Sequence, residues 1–461
     1  MNQVLRLGAN LVLTRLLVPE EFGLMVLVLV TILGLEMLSD LGIAPAIVQN
    51  HRGDDRAFLN TAWTVQVIRG FILWAFAFPV AYLVAALFAQ PMLIKLVPVA
   101  AAAAAINGFN STKLATCQRH LRLGLFTSID LASYAIGMTV MIAWAYIHRN
   151  VWALVVGTLV TATAKMVLSH VALPGHPNRL EWDRSAVGPL IRFGRWIFVS
   201  TLATYLALQA DKLLLGTLLT PDLLGIYGIG FMLATLPINV IRKIGAFALY
   251  PALSRKARED PAQLRAKLIE ARGMLLPAGM LTVLASVLWA PAFFGYLYEG
   301  PYKQAAWMCQ MLAVPIWFQI LQASVDRAPL ALGHSHLLAL SNLCNVVATV
   351  LLCLLGHAYW KLPGFIIGLG GGSLVGHAVI QVALLRRGIN VLKQDVQYTV
   401  ALAVLVAIAI VAARVLTGAP LTVDRPLTSV LIGTPLVLLA LGFVLHRLKF
   451  IPMPARVATP A

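Results

Sequence analysis

Long apolar runs alternate with short polar links along the whole chain. Runs of roughly 20 mostly apolar residues, the length a helix needs to cross a bilayer core, fall near 2–18, 22–48, 62–89, 92–112, 123–147, 151–173, 190–218, 223–250, 273–297, 304–325, 335–356, 362–385, 399–417 and 427–446. The links carry Pro, Gly or charge, as loops do, and none is long enough to fold as a domain of its own. Each run is apolar on every face and about twice as long as a membrane β-strand. A backbone in lipid must satisfy its own hydrogen bonds, which a helix does within itself. The pattern predicts an all-α polytopic membrane protein with about 14 transmembrane helices.

Composition agrees. Of 461 residues, 60% are hydrophobic and 11% charged, against about 45–50% and about 25% in soluble domains. That excludes an ordinary soluble enzyme, a disordered chain and, despite a net charge of +17, a nucleic-acid-binding domain. The basic residues sort by side. Arg52 and Arg56, Lys113, Arg119 and Arg122, Arg179, Arg184, Arg192 and Arg195, the stretch 242–272, Arg327, Arg386, Arg387 and Lys393, and Arg447, Lys449 and Arg456 fall in alternate links and the tail. The opposite side is sparse. This positive-inside asymmetry predicts that both termini are cytoplasmic. The segment 254–272 reads as a short basic helix on the cytoplasmic surface, against anionic headgroups. The start runs straight into an apolar span without a small-residue cleavage site, so no cleavable leader is expected. Cys117, Cys309, Cys344 and Cys353 show no CxxC or metal spacing and read as small hydrophobes; no metal and no cofactor is expected.

The chain repeats itself. Leu16-Leu17-Val18-Pro19-Glu20-Glu21-Phe22-Gly23 and Leu218-Leu219-Thr220-Pro221-Asp222-Leu223-Leu224-Gly225 match at an offset of 202, and Arg69-Gly70 matches Arg272-Gly273 at 203. Two such matches at equivalent places in the hydropathy pattern suggest two six-helix lobes related by a pseudo-twofold axis, with a transport site between them. The expected domains are 1–189, 190–390 and a C-terminal helix pair with tail, 391–461.

Ionisable residues inside spans are costly and point to function. Arg6 and Asn10 share a face of the first span with Gln3 and Thr14. Asp211 and Lys212 share one of the seventh with Thr201, Thr204 and Tyr205. Lys165 lies with Thr158 and Thr161 on the sixth, Arg69 on the third, and Glu36 and Asp40 end the second. Arg6, Asn10, Lys212, Lys165 and Arg69 are the candidate substrate-binding set; Asp211, Glu36 and Asp40 are the candidates for ion coupling. Together they suggest a polar, net-positive cavity suited to an anion such as phosphate. No catalytic residue is expected. GxxxxGK[ST], GxSxG and HExxH are missing, and Gly368–Gly372 reads as close helix packing or a flexible break. Pro45, Pro79, Pro237 and Pro315 are candidate kinks.

The stretches NQVLRLGANLVLTRLLVPEEFGLMVL, LSDLGIAPAIVQN, FLNTAWTVQVIRG, FGRWIFVSTLATYLALQADKLLLGTLLTPDLLGIYGIG and LYPALSR resemble the polysaccharide transporter branch of the multidrug/oligosaccharidyl-lipid/polysaccharide exporter superfamily. The resemblance runs to about residue 390 and is strongest over 5–70 and 193–254. It implies a flippase of the bacterial inner membrane with two six-helix lobes and alternating access. The cargo would be an undecaprenyl-diphosphate-linked oligosaccharide moved from the cytoplasmic to the periplasmic leaflet for exopolysaccharide or lipopolysaccharide synthesis. Its partners would be that substrate, the lipid bilayer and polysaccharide polymerase or export machinery, with no nucleic acid. Arg6, Lys212 and Lys165 would meet the diphosphate. The alternative on the same fold is a cation-coupled multidrug antiporter, which wants an acidic cavity. A membrane glycosyltransferase needs larger extracytoplasmic loops than these. Proton, sodium and potential-only coupling stay open on the sequence.

Overall fold

The computed structural model describes residues 2–39, 42–183, 205–206, 208–244, 261–331, 335–417 and 421–449. These are overwhelmingly helical, and packing density divides the chain into two units, Met1–Gly228 and Ile229–Ala461.

The first unit holds α1 (Asn2–Leu16), α2 (Pro19–Leu38), α3 (Ile43–Gln49), α4 (Arg56–Leu87), α5 (Leu93–Gly108), α6 (Lys113–Arg119), α7 (Leu123–His148) and α8 (Trp152–Val171). Its tightest pairs are α7 with α8 and α4 with α5. The run expected as one span over 22–48 is broken. α2 ends at Leu38, and Gly42, in the left-handed region at φ +61°, starts α3, a conformation that costs glycine little. Pro79 sits inside α4 without ending it. Asp55 caps α4, its side chain accepting from the Ala57 N–H at 3.0 Å, which satisfies one of the orphan donors of the first turn. α5 and α6 meet at 63°.

Residues 208–218 are helical and lead into α9 (Pro221–Ala234), which meets α10 (Leu236–Ile244) at 44°. Pro237 stands in the first turn of α10, where it is tolerated but cannot continue the preceding ladder. The repeated Pro-x-x-x-Gly motif makes contact with itself. A methyl group on Gly23 would overlap the Pro221 carbonyl, and one on Gly225 would overlap the Pro19 carbonyl. The starts of α2 and α9 therefore cross backbone to backbone, each glycine opposite the other copy's proline. Tyr205 adds to this packing by donating to the Val30 carbonyl at 3.1 Å.

The second unit contains α11 (Pro261–Leu297), a 3-10 turn (Gly300–Gln304), α12 (Ala305–Ala323), α13 (Arg327–Ala331), α14 (Ser335–Leu385), α15 (Leu392–Thr417) and α16 (Pro426–Lys449). Residues 261–272 of the expected surface helix are the first turns of α11 and run on into its span without a break; 254–260 lie outside the described residues. Pro315 is accommodated within α12. α14 holds two expected spans and breaks at Trp360 and Lys361, the latter at φ +53°. Its halves fold back on one another. Gly364, Gly368 and Gly372, four residues apart on one face, meet Gly356, Leu352 and Thr349 without room for a side chain. That is the close packing small residues permit in membranes.

α15 and α16 both pack on α11, and a buried polar knot joins α15 to α11 and α14. Arg272, fully buried, pairs with Asp395 of α15. Asp395 also takes bonds from His377, at 3.0 Å, and from Gln381, while Gln394 accepts from Arg272 Nε at 3.3 Å. Arg272, the repeat partner of Arg69, is thus locked into an ion pair by α15. Among the described residues, seven helices are long and apolar enough to cross a membrane. Taking α5–α6 and α9–α10 as one span each makes nine. The protein is an all-helical membrane protein.

Candidate functional site

A cavity of about 490 Å³ opens inside the first unit among α2, α3, α4, α5, α6 and α8. It brings together Glu36, Arg69 and Lys165, three candidates drawn from three separate spans. Arg69 donates from Nη2 to the Glu36 carbonyl at 2.7 Å and from Nε to the Ser39 hydroxyl at 3.0 Å. It thereby closes the end of α2, where the last carbonyls lack helical partners. Lys165 donates to Asp130 of α7 at 2.6 Å and lies 5.7 Å from the centre of the Phe126 ring. Asp130, an acid inside a span, is the residue the sequence reading passed over; its place in the apolar run 123–147 was the available signal.

The rest of the wall is shaped by amides. Gln66 Nε2 reaches the carbonyls of Asn107, Gly108 and Asn110 at 3.1, 3.1 and 3.2 Å. These are the orphan acceptors at the end of α5, so one side chain holds that terminus in place. Asn110 Nδ2 donates to Asn107 Oδ1 at 3.2 Å. Gln118 of α6 also lines the space.

The other described candidates, Arg6, Asn10, Asp211 and Lys212, are not on the wall of this cavity. Arg6 is exposed on α1 and within electrostatic reach of Tyr134 of α7; Asn10 is half-buried on the same helix. Asp211 is buried and accepts from Lys212 at 3.3 Å and from the Tyr227 hydroxyl at 3.2 Å. Asp40, Thr201 and Thr204 lie outside the described residues.

At the end of α4 a strap of chain closes over the unit. Between 178 and 183 the chain has no regular structure and lies along the first turns of α4. The N–H groups of Arg179, Glu181 and Asp183 donate to side-chain oxygens of Asn60, Thr64 and Thr61 at 3.2, 3.0 and 3.0 Å. Asn60 returns a bond to Glu181 at 2.7 Å, Arg52 pairs with Asp183 at 3.0 Å, and Asn178 accepts from Ser111 at 2.6 Å. Alternate N–H groups all find partners, which is how a strand outside a sheet satisfies its backbone. Nearby, His120 and Arg119 bond Asp54 at 2.9 Å each and hold its carboxyl below the ordinary carboxylate range. Arg52 does the same for Asp55. Apart from Arg52 and Asp55, three residues apart, these pairings were not visible as spacing, because the partners are about 65 to 130 residues apart.

The sequence profile of the polysaccharide biosynthesis protein family matches residues 12–300. The chain belongs to this family. Among polysaccharide biosynthesis proteins, the lipopolysaccharide biosynthesis protein WzxC of Escherichia coli (strain K12) is 25% identical over 293 residues, 62% of this chain and 58% of the relative. The teichuronic acid biosynthesis protein TuaB of Bacillus subtilis (strain 168) is 19% identical over 304 residues, 66% and 62%. The matches thus span somewhat more than half the length of these relatives. Among solved structures, the lipid II flippase MurJ in an inward closed conformation aligns over 96% of this chain and 97% of its own, with a TM-score of 0.72 at 10% identity. An inward-facing multidrug resistance MATE transporter of the MOP superfamily covers 82% and 93%, with a TM-score of 0.66 at 16% identity. At these identities the structural likenesses establish the fold alone.

Proposed function

We propose that this protein is a flippase for lipid-linked oligosaccharides in a bacterial inner membrane. The observation that carries the reading is a cavity with three ionisable residues on its wall, set among apolar helices of a polysaccharide biosynthesis family member. Such groups are expensive in a membrane and persist where a polar cargo passes. The names of WzxC and of the lipid II flippase accord with a sugar-bearing lipid as that cargo.

The lipid tail stays in the bilayer while the sugar diphosphate enters the protein. Arg6 and Lys212 neutralise the diphosphate, and polar residues of the spans meet sugar hydroxyls. The lipid is undecaprenyl diphosphate, and both termini face the cytoplasm. Movement runs from the cytoplasmic to the periplasmic leaflet by alternating access. A potential negative inside favours outward transfer of an anion by about 2.3 kcal/mol per charge per 100 mV. Asp211 and Glu36 are the acids available for ion coupling.

The test is transbilayer movement of a lipid-diphosphate oligosaccharide in proteoliposomes with an imposed potential. Potential-dependent movement, lost in Arg6→Ala and Lys212→Ala, is the expected result. Absence of movement together with proton-coupled efflux of an organic cation would assign the protein to the antiporters instead.

A further inference from the structure

Resting on the flippase reading, we propose that the cavity of the first unit seats the sugar of the cargo and that the diphosphate is held outside it. The first ground is charge. Glu36, Arg69 and Lys165 are the ionisable side chains on the wall. Lys165 is matched by Asp130 at 2.6 Å; Arg69 donates from Nη2 and Nε to the Glu36 carbonyl and the Ser39 hydroxyl. Both cations on the wall are thus engaged by the protein itself. A diphosphate entering here would have to compete with Asp130 for Lys165 and with the end of α2 for Arg69.

The second ground is the hydrogen-bonding capacity left over. Asn110 Oδ1 is buried without a partner. Among the described residues, the Gln118 carboxamide and Asn107 Nδ2 make no hydrogen bond either, since the bonds formed by Asn107 run through its oxygen and its carbonyl. An unpaired buried acceptor carries a desolvation penalty that a donor relieves. The set open to a ligand is neutral and mixed: a donor at Asn107, and a donor and an acceptor at Gln118. A phosphate oxygen only accepts, so it leaves the Gln118 oxygen unpaired. A sugar hydroxyl both donates and accepts and fits both residues.

The third ground is construction. Gln66 ties down the α5 terminus that carries Asn107 and Asn110, so the two amides are presented on a fixed backbone. About 490 Å³ falls within the roughly 300–1,000 Å³ usual for small-ligand pockets. A site whose buried polar groups wait for hydroxyl partners also discriminates well, because a ligand lacking the hydroxyl leaves them unpaired. The cavity is therefore the place where the identity of the sugar is read.

The test uses the full chain in lipid nanodiscs and two soluble probes. One is the glycan released by mild acid from the lipid-linked oligosaccharide that accumulates in a strain lacking this gene; the other is inorganic pyrophosphate. A ligand that binds the folded state raises the melting temperature by mass action. The glycan is expected to raise that of the wild type, and the rise is expected to fall by at least half in Gln118→Leu and in Asn107→Leu. The pyrophosphate shift is expected to be equal in all three proteins. A glycan shift unchanged by both substitutions, or a pyrophosphate shift that falls with them, overturns the assignment. If Gln118→Leu shows no melting transition, Gln118→Met replaces it. Proteoliposomes of wild type run in parallel. Movement of the glycan-bearing lipid without a glycan-specific shift refutes the sugar site alone, whereas absence of movement refutes the flippase reading as well.

Discussion

Replacing Asp395 by Ala removes the counter-charge of an arginine that no water reaches. Arg272 has 0% side-chain exposure and Asp395 7%. The truncation leaves the guanidinium with Gln394, at 3.3 Å, as its neutral acceptor, and takes from His377 and Gln381 the carboxylate they share. Breaking a buried pair from one side costs about 3–5 kcal/mol, because the remaining charge stays desolvated. Set against a total stability of about 5–15 kcal/mol, that is enough to lower yield as well as melting temperature. The double variant Arg272→Met/Asp395→Leu removes both charges and is expected to be within about 1 kcal/mol of wild type or above it, since apolar replacement of a whole buried pair is often neutral or stabilising. The assay is reversible unfolding in mixed micelles for the wild type, both single variants and the double, read as a thermodynamic cycle. Asp395→Ala within about 1 kcal/mol of wild type, or a double variant worse than either single one, would show that the knot is solvated and the reasoning wrong.

Three further outcomes follow from the geometry. Gly23→Ala and Gly225→Ala should each cost about 1–3 kcal/mol by overpacking, while Gly8→Ala, with nothing near its Cβ position, should be neutral or gain up to about 1 kcal/mol of helix propensity; melting curves separate them. The depressed Asp54 carboxyl contributes stability above its ordinary range and loses it as pH falls through its lowered value. Asp54 is about half exposed, so the effect is small, below about 1 kcal/mol, and Asp54→Asn should lower neutral-pH stability by that amount while leaving the acid end unchanged, which flattens the acid side of the stability profile. Asn60→Ala removes the group that bonds both Arg179 N–H and Glu181, and hydrogen exchange at 179–183 should quicken while that of α8 is unchanged; unchanged protection at 179–183 would mean the strap is held by other contacts.

The helices were legible because lipid leaves an apolar run little choice of structure. The same rule flagged Glu36, Arg69 and Lys165, which the fold gathers around one space. What a single chain does not display is partnership. Lys165 and Asp130 are 35 residues apart, and Arg272 and Asp395 are 123 apart, so a cation read alone looked available for an anion when a neighbouring helix had already matched it. Local backbone detail was equally hidden. The apolar run 22–48 hides the end of α2 at Leu38 and the start of α3 after Gly42, while the change from basic to apolar at 272–273 suggests a boundary through which α11 runs without a break. The break between 356 and 362 was visible because Lys361 and Pro363 interrupt the apolar run; the turn falls at Trp360–Lys361.

The crossing of α2 and α9 has a consequence of another kind. Gly23 lies on Pro221, and Gly225 lies on Pro19, so each copy of the motif is at once guest and host to the other. The two contacts share one fate: rolling one helix off its seat unseats the other in the same movement. A junction of that kind lets go as a whole or holds as a whole, like a clasp with two interlocking hooks. It also ties two stretches of the gene together, because a change of length or bulk in one copy must be tolerated by a surface encoded two hundred codons away.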